Sequence, residues 1–139
     1  MFLSEKLELN IIPFRKVIDD NSAIAIMTAH ILIPKVDKKV ATLSSKFLNE
    51  ILRKQMDFGG VIITDDLEMI SAGKTIGRSA VDAIKAGADM IISTYTPEKQ
   101  IEIFNSLKDS VLNGDITEEK INESVARILN LKTALEYSP

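Results

Sequence analysis

The sequence predicts an α/β fold in which short parallel strands alternate with helices. Two observations carry that reading. Three brief apolar runs rich in isoleucine, at residues 23–29, 61–64 and 90–93, are continuous rather than alternating. Continuous apolarity suits strands of a parallel sheet covered on both faces. Between and around these runs, apolar residues recur at helical spacing instead.

Taken in order, a first helix is expected over Leu9 to Ile18, with Pro13 as an awkward member, and the first strand follows at Ala23. Ser44 can cap a second helix whose apolar face is Phe47, Leu48, Ile51 and Leu52. Gly59-Gly60 then precedes the second strand, which argues against a short buried helix there. Ile76, Ala80, Val81 and Ile84 form the next helical face, and Gly87 sits where that helix should stop. After the third strand, Thr96-Pro97 supplies a cap and a proline at the first helical position. Ile101, Phe104, Lys108 and Val111 continue that helix as far as Asn113-Gly114. Thr117 starts the last helix, with Glu118 and Glu119 at its positive end and Ile121, Val125, Ile128 and Leu129 as its face. The order α-β-α-β-α-β-α-α implies right-handed βαβ units. Two architectures satisfy it, a small three-layer sandwich or a partial (β/α)8 barrel of about three strands ending in a helix pair. A whole barrel takes about 250 residues, and the 139 residues here are too few.

Composition removes several functional classes. Seventeen basic residues stand against 20 acidic ones, a formal charge of −3, so the surface is not that of a nucleic-acid binder. There is no cysteine, which excludes thiol catalysis, disulfides and cysteine-based zinc sites, and His30 is the single histidine. Neither a metal nor an organic cofactor is expected. Five Phe, two Tyr and no Trp make the expected core aliphatic. The N-terminus lacks a basic stretch followed by a long apolar one, and no apolar run reaches the roughly 20 residues of a membrane helix. The expectation is a protein of the cytoplasm with no membrane partner.

In parallel α/β folds, functional groups gather where strands end and loops lead into helices. Three segments meet that description: Met27-Thr28-Ala29-His30, Thr64 to Met69, and Ser93-Thr94-Tyr95-Thr96. The second is the most telling, because four apolar residues run directly into Asp65-Asp66. A carboxylate there can be a nucleophile, a base or a ligand; equally, an acidic pair can cap the next helix. Phosphoacceptor receiver domains also carry an acidic pair at a strand end, but their phosphorylated Asp ends a later strand, and no later strand here ends in Asp. His30 could contact a substrate or bond its own loop, and Asp37 could orient it or serve only the loop. Met27, Met69 and Met90 read as core fillers, and the charges of the last helix as a solvated face.

The stretch from Ile51 to Glu68 (ILRKQMDFGGVIITDDLE) closely resembles the active-site signature of glycoside hydrolase family 3. That signature has an aliphatic pair and a basic residue, a spacer, a Gly, three aliphatics and then Ser/Thr-Asp. Only Glu68 departs from it, standing where a small or polar residue is usual. Ile12-Pro13-Phe14, Met27 to His30, Ala41 to Ser44, Asp65 to Met69 and Lys85 to Met90 also resemble family blocks, in the family order. Asp66 and Ala29-His30 replace the aromatic and the Ser-Tyr pair of glucosidase-type members, which resembles the β-N-acetylhexosaminidase branch.

The resemblance implies a TIM-like barrel of which these blocks are the last three strands, so that residues 1–139 form the C-terminal part of the catalytic domain. It implies that Asp65 is the catalytic nucleophile of a retaining hydrolysis, and that His30 and Met69 line the sugar pocket. The implied substrate is a terminal β-linked N-acetylhexosamine, with peptidoglycan fragments among its sources. The branch's Lys-His-Phe-Pro-Gly-His-Gly-like stretch, with its His-Asp acid/base pair, has no match in these residues. The segment between Met69 and Ala80 is slightly short against the family pattern. General acid/base help is worth about 10²–10⁴-fold, so the chain alone is expected to be weak or inactive. A non-catalytic α/β unit is the alternative. Three strands also expose two edges, and edges invite pairing, so a homo-oligomer or a companion chain is expected.

Overall fold

A computed structural model describes residues 5–69 and 75–136. Helix α1 (Glu5–Asp19) starts earlier than the apolar pattern suggests and runs through Pro13. Strand β1 (Ala25–Met27) is followed by a loop with a 3-10 turn (Ala41–Leu43) and by a π-helix (Lys46–Gln55). Strand β2 (Val61–Asp66) runs into a second 3-10 turn (Leu67–Met69). Helix α2 (Ile76–Ala86), strand β3 (Met90–Ile92), helix α3 (Pro97–Leu112) and helix α4 (Glu118–Glu136) complete the described chain. The predicted alternation and the closing helix pair are both present. The shortened segment noted in the sequence falls largely on residues 70–74, outside the described residues.

The three strands form one parallel sheet in the order β1-β2-β3. Ile26 pairs with Ile62, and both point into a cluster made with Leu48, Ile51, Met56, Phe58, Ala83 and Ala86. A second cluster joins Leu67, Ala80 and Ile103. The core is aliphatic as expected, with Phe58 the one aromatic among the buried residues described.

Several expected ends are visible. Ser44 Oγ accepts the Phe47 amide at 3.3 Å and Thr117 Oγ1 that of Lys120 at 3.2 Å, while Thr75, which the sequence did not single out, caps α2 by accepting the Arg78 amide at 3.3 Å. Gly87 ends α2 at φ 123°, a conformation that an L side chain rarely adopts. A Cβ there would also stand 2.6 Å from Asn49 Oδ1.

Two expectations need correction. The helix after Ser44 is wound as a π-helix, with the Met56 amide reaching back to Ile51 O at 2.9 Å. The strands are also not all covered on both faces. β2 comes nearest, with Ile63 and Asp65 half-buried, but Met27 of β1 is 59% exposed and β3 is only half-buried. The physical reason is position: β1 and β3 are edge strands, and the sheet face opposite the helices has little over it. Among the described residues, no helix is long and apolar enough to cross a membrane.

At the N-terminal end of the sheet, Asp89 ties three layers together. Its side chain is fully buried, with Oδ2 accepting the Ile62 amide at 2.9 Å and the Arg53 guanidinium. Oδ1 accepts Ser124 Oγ at 2.8 Å and Arg127 Nη1 at 3.0 Å. Arg53 also donates to Phe58 O at 2.8 Å and sits over the Phe58 ring, 5.4 Å from its centroid. This one carboxylate joins the π-helix, β2 and α4.

Candidate active site

The opposite, C-terminal end of the sheet gathers all three segments singled out from the sequence. Along β2, Ile62, Thr64 and Asp66 are buried toward the helices, while Ile63 and Asp65 are half-buried on the other face. Ile63 pairs with Met90 and Asp66 with Ile92, so β2 carries one more residue than β3 over the same distance. Such a bulge bends a strand and re-aims its side chains. Asp65 stands inside it. The irregular pairing would cost a ladder bond, and Thr64 supplies a replacement: its buried Oγ1 accepts the Ile92 amide at 3.1 Å.

Asp65 Oδ1 accepts the amide of Asp66 at 2.8 Å. Among the described residues its carboxylate makes no other hydrogen bond. Asp66 is held far more tightly. Oδ1 accepts the Glu68 amide at 2.9 Å, and Oδ2 accepts the Thr94 amide at 3.2 Å and the Thr94 hydroxyl. The acidic pair therefore divides its work: Asp66 builds the turn and Asp65 is left open.

His30 is half-buried, and both ring nitrogens have partners. Nε2 lies 2.9 Å from Asp66 O, and Nδ1 lies 2.9 Å from Thr42 Oγ1. Thr42 Oγ1 is in turn 2.9 Å from Thr28 Oγ1. Asp37 does not orient the histidine. Its carboxylate accepts Ser44 Oγ at 2.5 Å and the Lys38 amide at 2.7 Å, and the Ser44 bond is the main cause holding its pKa below the ordinary value. Met69, expected either in the core or along a sugar pocket, is 62% exposed directly after β2. Tyr95, at the end of β3, is also exposed.

Glu68 joins the two strand ends. Its side chain is 4% exposed, and Oε1 accepts Ser93 Oγ at 2.9 Å, the Tyr95 amide at 2.9 Å and the Thr96 amide at 3.0 Å. Lys99 Nζ stands 3.4 Å from Oε2. Burial works to raise the Glu68 pKa but is outweighed by hydrogen bonds from Thr96, Ser93 and Tyr95, which hold it down at about 2. Thr96 was expected to cap α3 with its own side chain, and it does not. Glu68 instead accepts the two amides just before the helix, those of Tyr95 and Thr96, from the neighbouring strand end.

Comparison with known proteins fixes the family. Residues 4–131 match the family model described as glycosyl hydrolase family 3 N terminal domain. The chain belongs to glycoside hydrolase family 3. Over 97 residues it is 42% identical to a beta-hexosaminidase of Methylobacillus flagellatus, an overlap of 68% of this chain and 28% of that relative. A beta-hexosaminidase of Glaesserella parasuis is 38% identical over 99 residues, which are 69% of this chain and 29% of the relative. The glycoside hydrolase family 3 beta-N-acetylglucosaminidase of Paenibacillus sp. str. FPU-7 superposes with a TM-score of 0.91 at 39% identity, covering 99% of this chain and 27% of that one. The beta-N-acetylglucosaminidase of Thermotoga maritima gives 0.85 at 26% identity, covering 97% and 30%. This family 3 chain thus spans under a third of the length of these relatives, and its three strands are part of their TIM-like barrel fold.

Sequence reading located Asp65 and the departure at Glu68. It missed Thr42, which lies in a loop, and it placed Thr94 in a strand-end segment without seeing that it holds Asp66, because an uncharged side chain gives no sign of its partner. For Thr42 the available signal was the block 41–44, which resembles a family block and had been given no chemical task.

Proposed function

We propose that this chain is the nucleophile-bearing part of a retaining β-N-acetylhexosaminidase, with Asp65 as the attacking carboxylate. The observation that carries the reading is the contrast within the acidic pair. Asp66 is saturated with partners, whereas Asp65 is steadied at one oxygen and otherwise open, in a bulge at the C-terminal end of the central strand. Asp65 attacks the anomeric carbon of a terminal N-acetylhexosamine, and the glycosidic bond breaks as the leaving oxygen takes a proton from a general acid. Water then displaces Asp65 from the resulting ester and releases the sugar, its proton passing to the same group acting as base. Met69 and His30 border the sugar, His30 without a free ring nitrogen.

The His-Asp acid/base stretch of the family has no match in these 139 residues, so a companion segment or chain supplies it. The open edges of β1 and β3 are where such a partner, or a second copy, adds its strands. A non-catalytic assembly unit is the second reading, favoured by the exposed Met27 on the uncovered sheet face.

Hydrolysis of a nitrophenyl β-N-acetylglucosaminide decides between them, because that leaving group departs with little acid assistance. The assay is run on the chain alone and with an upstream barrel half co-expressed. Activity that falls roughly 10⁴-fold or more in Asp65→Asn supports the catalytic reading. Silence in both folded samples sinks it and leaves the assembly unit.

A further inference from the structure

Between β1 and the π-helix the chain folds back on itself, with Leu32 bridging Val40 and the Ala41 amide donating to Ile31 O at 2.8 Å. That fold-back brings Thr42, fully buried, behind His30. The direction of the resulting chain follows from chemistry. Asp66 O can only accept, so Nε2 of His30 carries a proton; in the neutral ring Nδ1 is then an acceptor. The Thr42 hydroxyl must donate to Nδ1, and the Thr28 hydroxyl must donate to Thr42. Three side chains, two of them buried, converge on one main-chain carbonyl of the acidic turn.

That carbonyl belongs to the residue whose amide holds Asp65 Oδ1. The Asp66 side chain is gripped from β3 by Thr94 and from its own turn by the Glu68 amide. His30 is the grip from the β1 side. Fixing Asp66 at both its carbonyl and its carboxylate leaves its N–H one direction in which to point, toward Asp65. We infer that His30, set by Thr42 and Thr28, is a positioning residue that holds Asp66 so that its amide orients the Asp65 carboxylate. The functional meaning of that orientation rests on the proposed nucleophile role of Asp65, but the contact itself does not depend on any catalysis.

The test uses the full chain and needs no activity, so its failure is separate from failure of the glycosidase reading. His30 is the single imidazole, and long-range proton–nitrogen NMR reports its tautomer without assignment ambiguity. The Nε2–H tautomer, with a coupling through the hydrogen bond to the Asp66 carbonyl carbon, is expected; the Nδ1–H tautomer overturns the proposal. Two variants then separate positioning from plain stability. The side-chain nitrogen of Gln reaches about as far as Nε2, so His30→Gln should keep the donor to Asp66 O. That of Asn reaches only about as far as Nδ1, so His30→Asn should lose it. Hydrogen exchange at the Asp66 amide should quicken about tenfold to a hundredfold in His30→Asn and little in His30→Gln. The Ile62 amide, bonded to Asp89 at the other end of β2, is the internal control and should not move. Equal quickening at both amides makes His30 merely structural and overturns the inference. No change at Asp66 overturns it as well.

Discussion

The two ends of the sheet use the same functional group in opposite ways. At the N-terminal end, Asp89 is buried and each of its oxygens has two partners, including Arg53 and Arg127. At the C-terminal end, Asp65 is half-buried and, among the described residues, has one hydrogen bond, from the adjacent amide. A buried charge persists only when paired and hydrogen-bonded, and Asp89 meets that demand in full. A carboxylate kept for chemistry must do the reverse and leave an oxygen open. The difference teaches that the number of partners, rather than residue type or place beside a strand, separates an acid spent on the fold from one with an oxygen left open.

The sharpest way to break this comparison is to remove each acid in turn. Asp89→Ala leaves Arg53, only 13% exposed, without its anion, and leaves Arg127 with Glu123 alone among the described residues. Burial already pushes the Arg53 guanidinium below its ordinary pKa, with Asp89 working against that shift. Equilibrium denaturation should show a loss of about 3–5 kcal/mol, enough to leave a marginal domain unfolded. Asp65→Asn, by contrast, should change stability by under about 0.5 kcal/mol. Losses of similar size would end the distinction.

Thr64 gives a smaller effect and sharpens the account of the bulge. Thr64→Val removes the acceptor of a half-buried main-chain amide at Ile92, and should cost about 1–3 kcal/mol by denaturant titration. Thr64→Ser keeps the hydroxyl and should recover most of that loss. A Val variant as stable as the Ser variant would mean that the hydroxyl is not what supports Asp65's strand. This bond also gives a physical reason for a serine or threonine immediately before the acid.

Glu68 gives an effect that shows only in acid. Its folded pKa of about 2 lies below the ordinary value of 4.5. A group depressed in this way contributes stability that is fully present above about pH 4.5 and lost as pH falls toward 2. Stability measured across that window should fall less steeply in Glu68→Gln than in the unaltered chain. Parallel curves for the two would show that Glu68 does not link the ends of β2 and β3 through its charge.

Much of this molecule is legible from residue order. The apolar runs, the helical spacings and the punctuating Gly59-Gly60, Gly87 and Thr96-Pro97 place each described strand and the major helices within a few residues. They do so because burial period and turn chemistry are local properties. Asp65 is legible for the same reason, as an acid at the end of an apolar run. The π-helical winding was not, since i→i+4 and i→i+5 bonding place nearly the same residues on the buried face. The open faces of β1 and β3 were not legible either, because exposure depends on which elements lie opposite, and those are remote in sequence.

By itself, then, the sequence determined the alternation of strands and helices, the family and the acid that ends the central strand. Only the tertiary structure decided which acid is saturated and which is open, and what the lone histidine holds. The reason is distance along the chain. The contacts that assign those roles join His30 to Asp66, Thr42 to Thr28, Glu68 to Thr96 and Arg127 to Asp89. Each joins residues far apart in sequence, so no local pattern encodes it, and each exists only once the sheet, the loop and the last helix have come together.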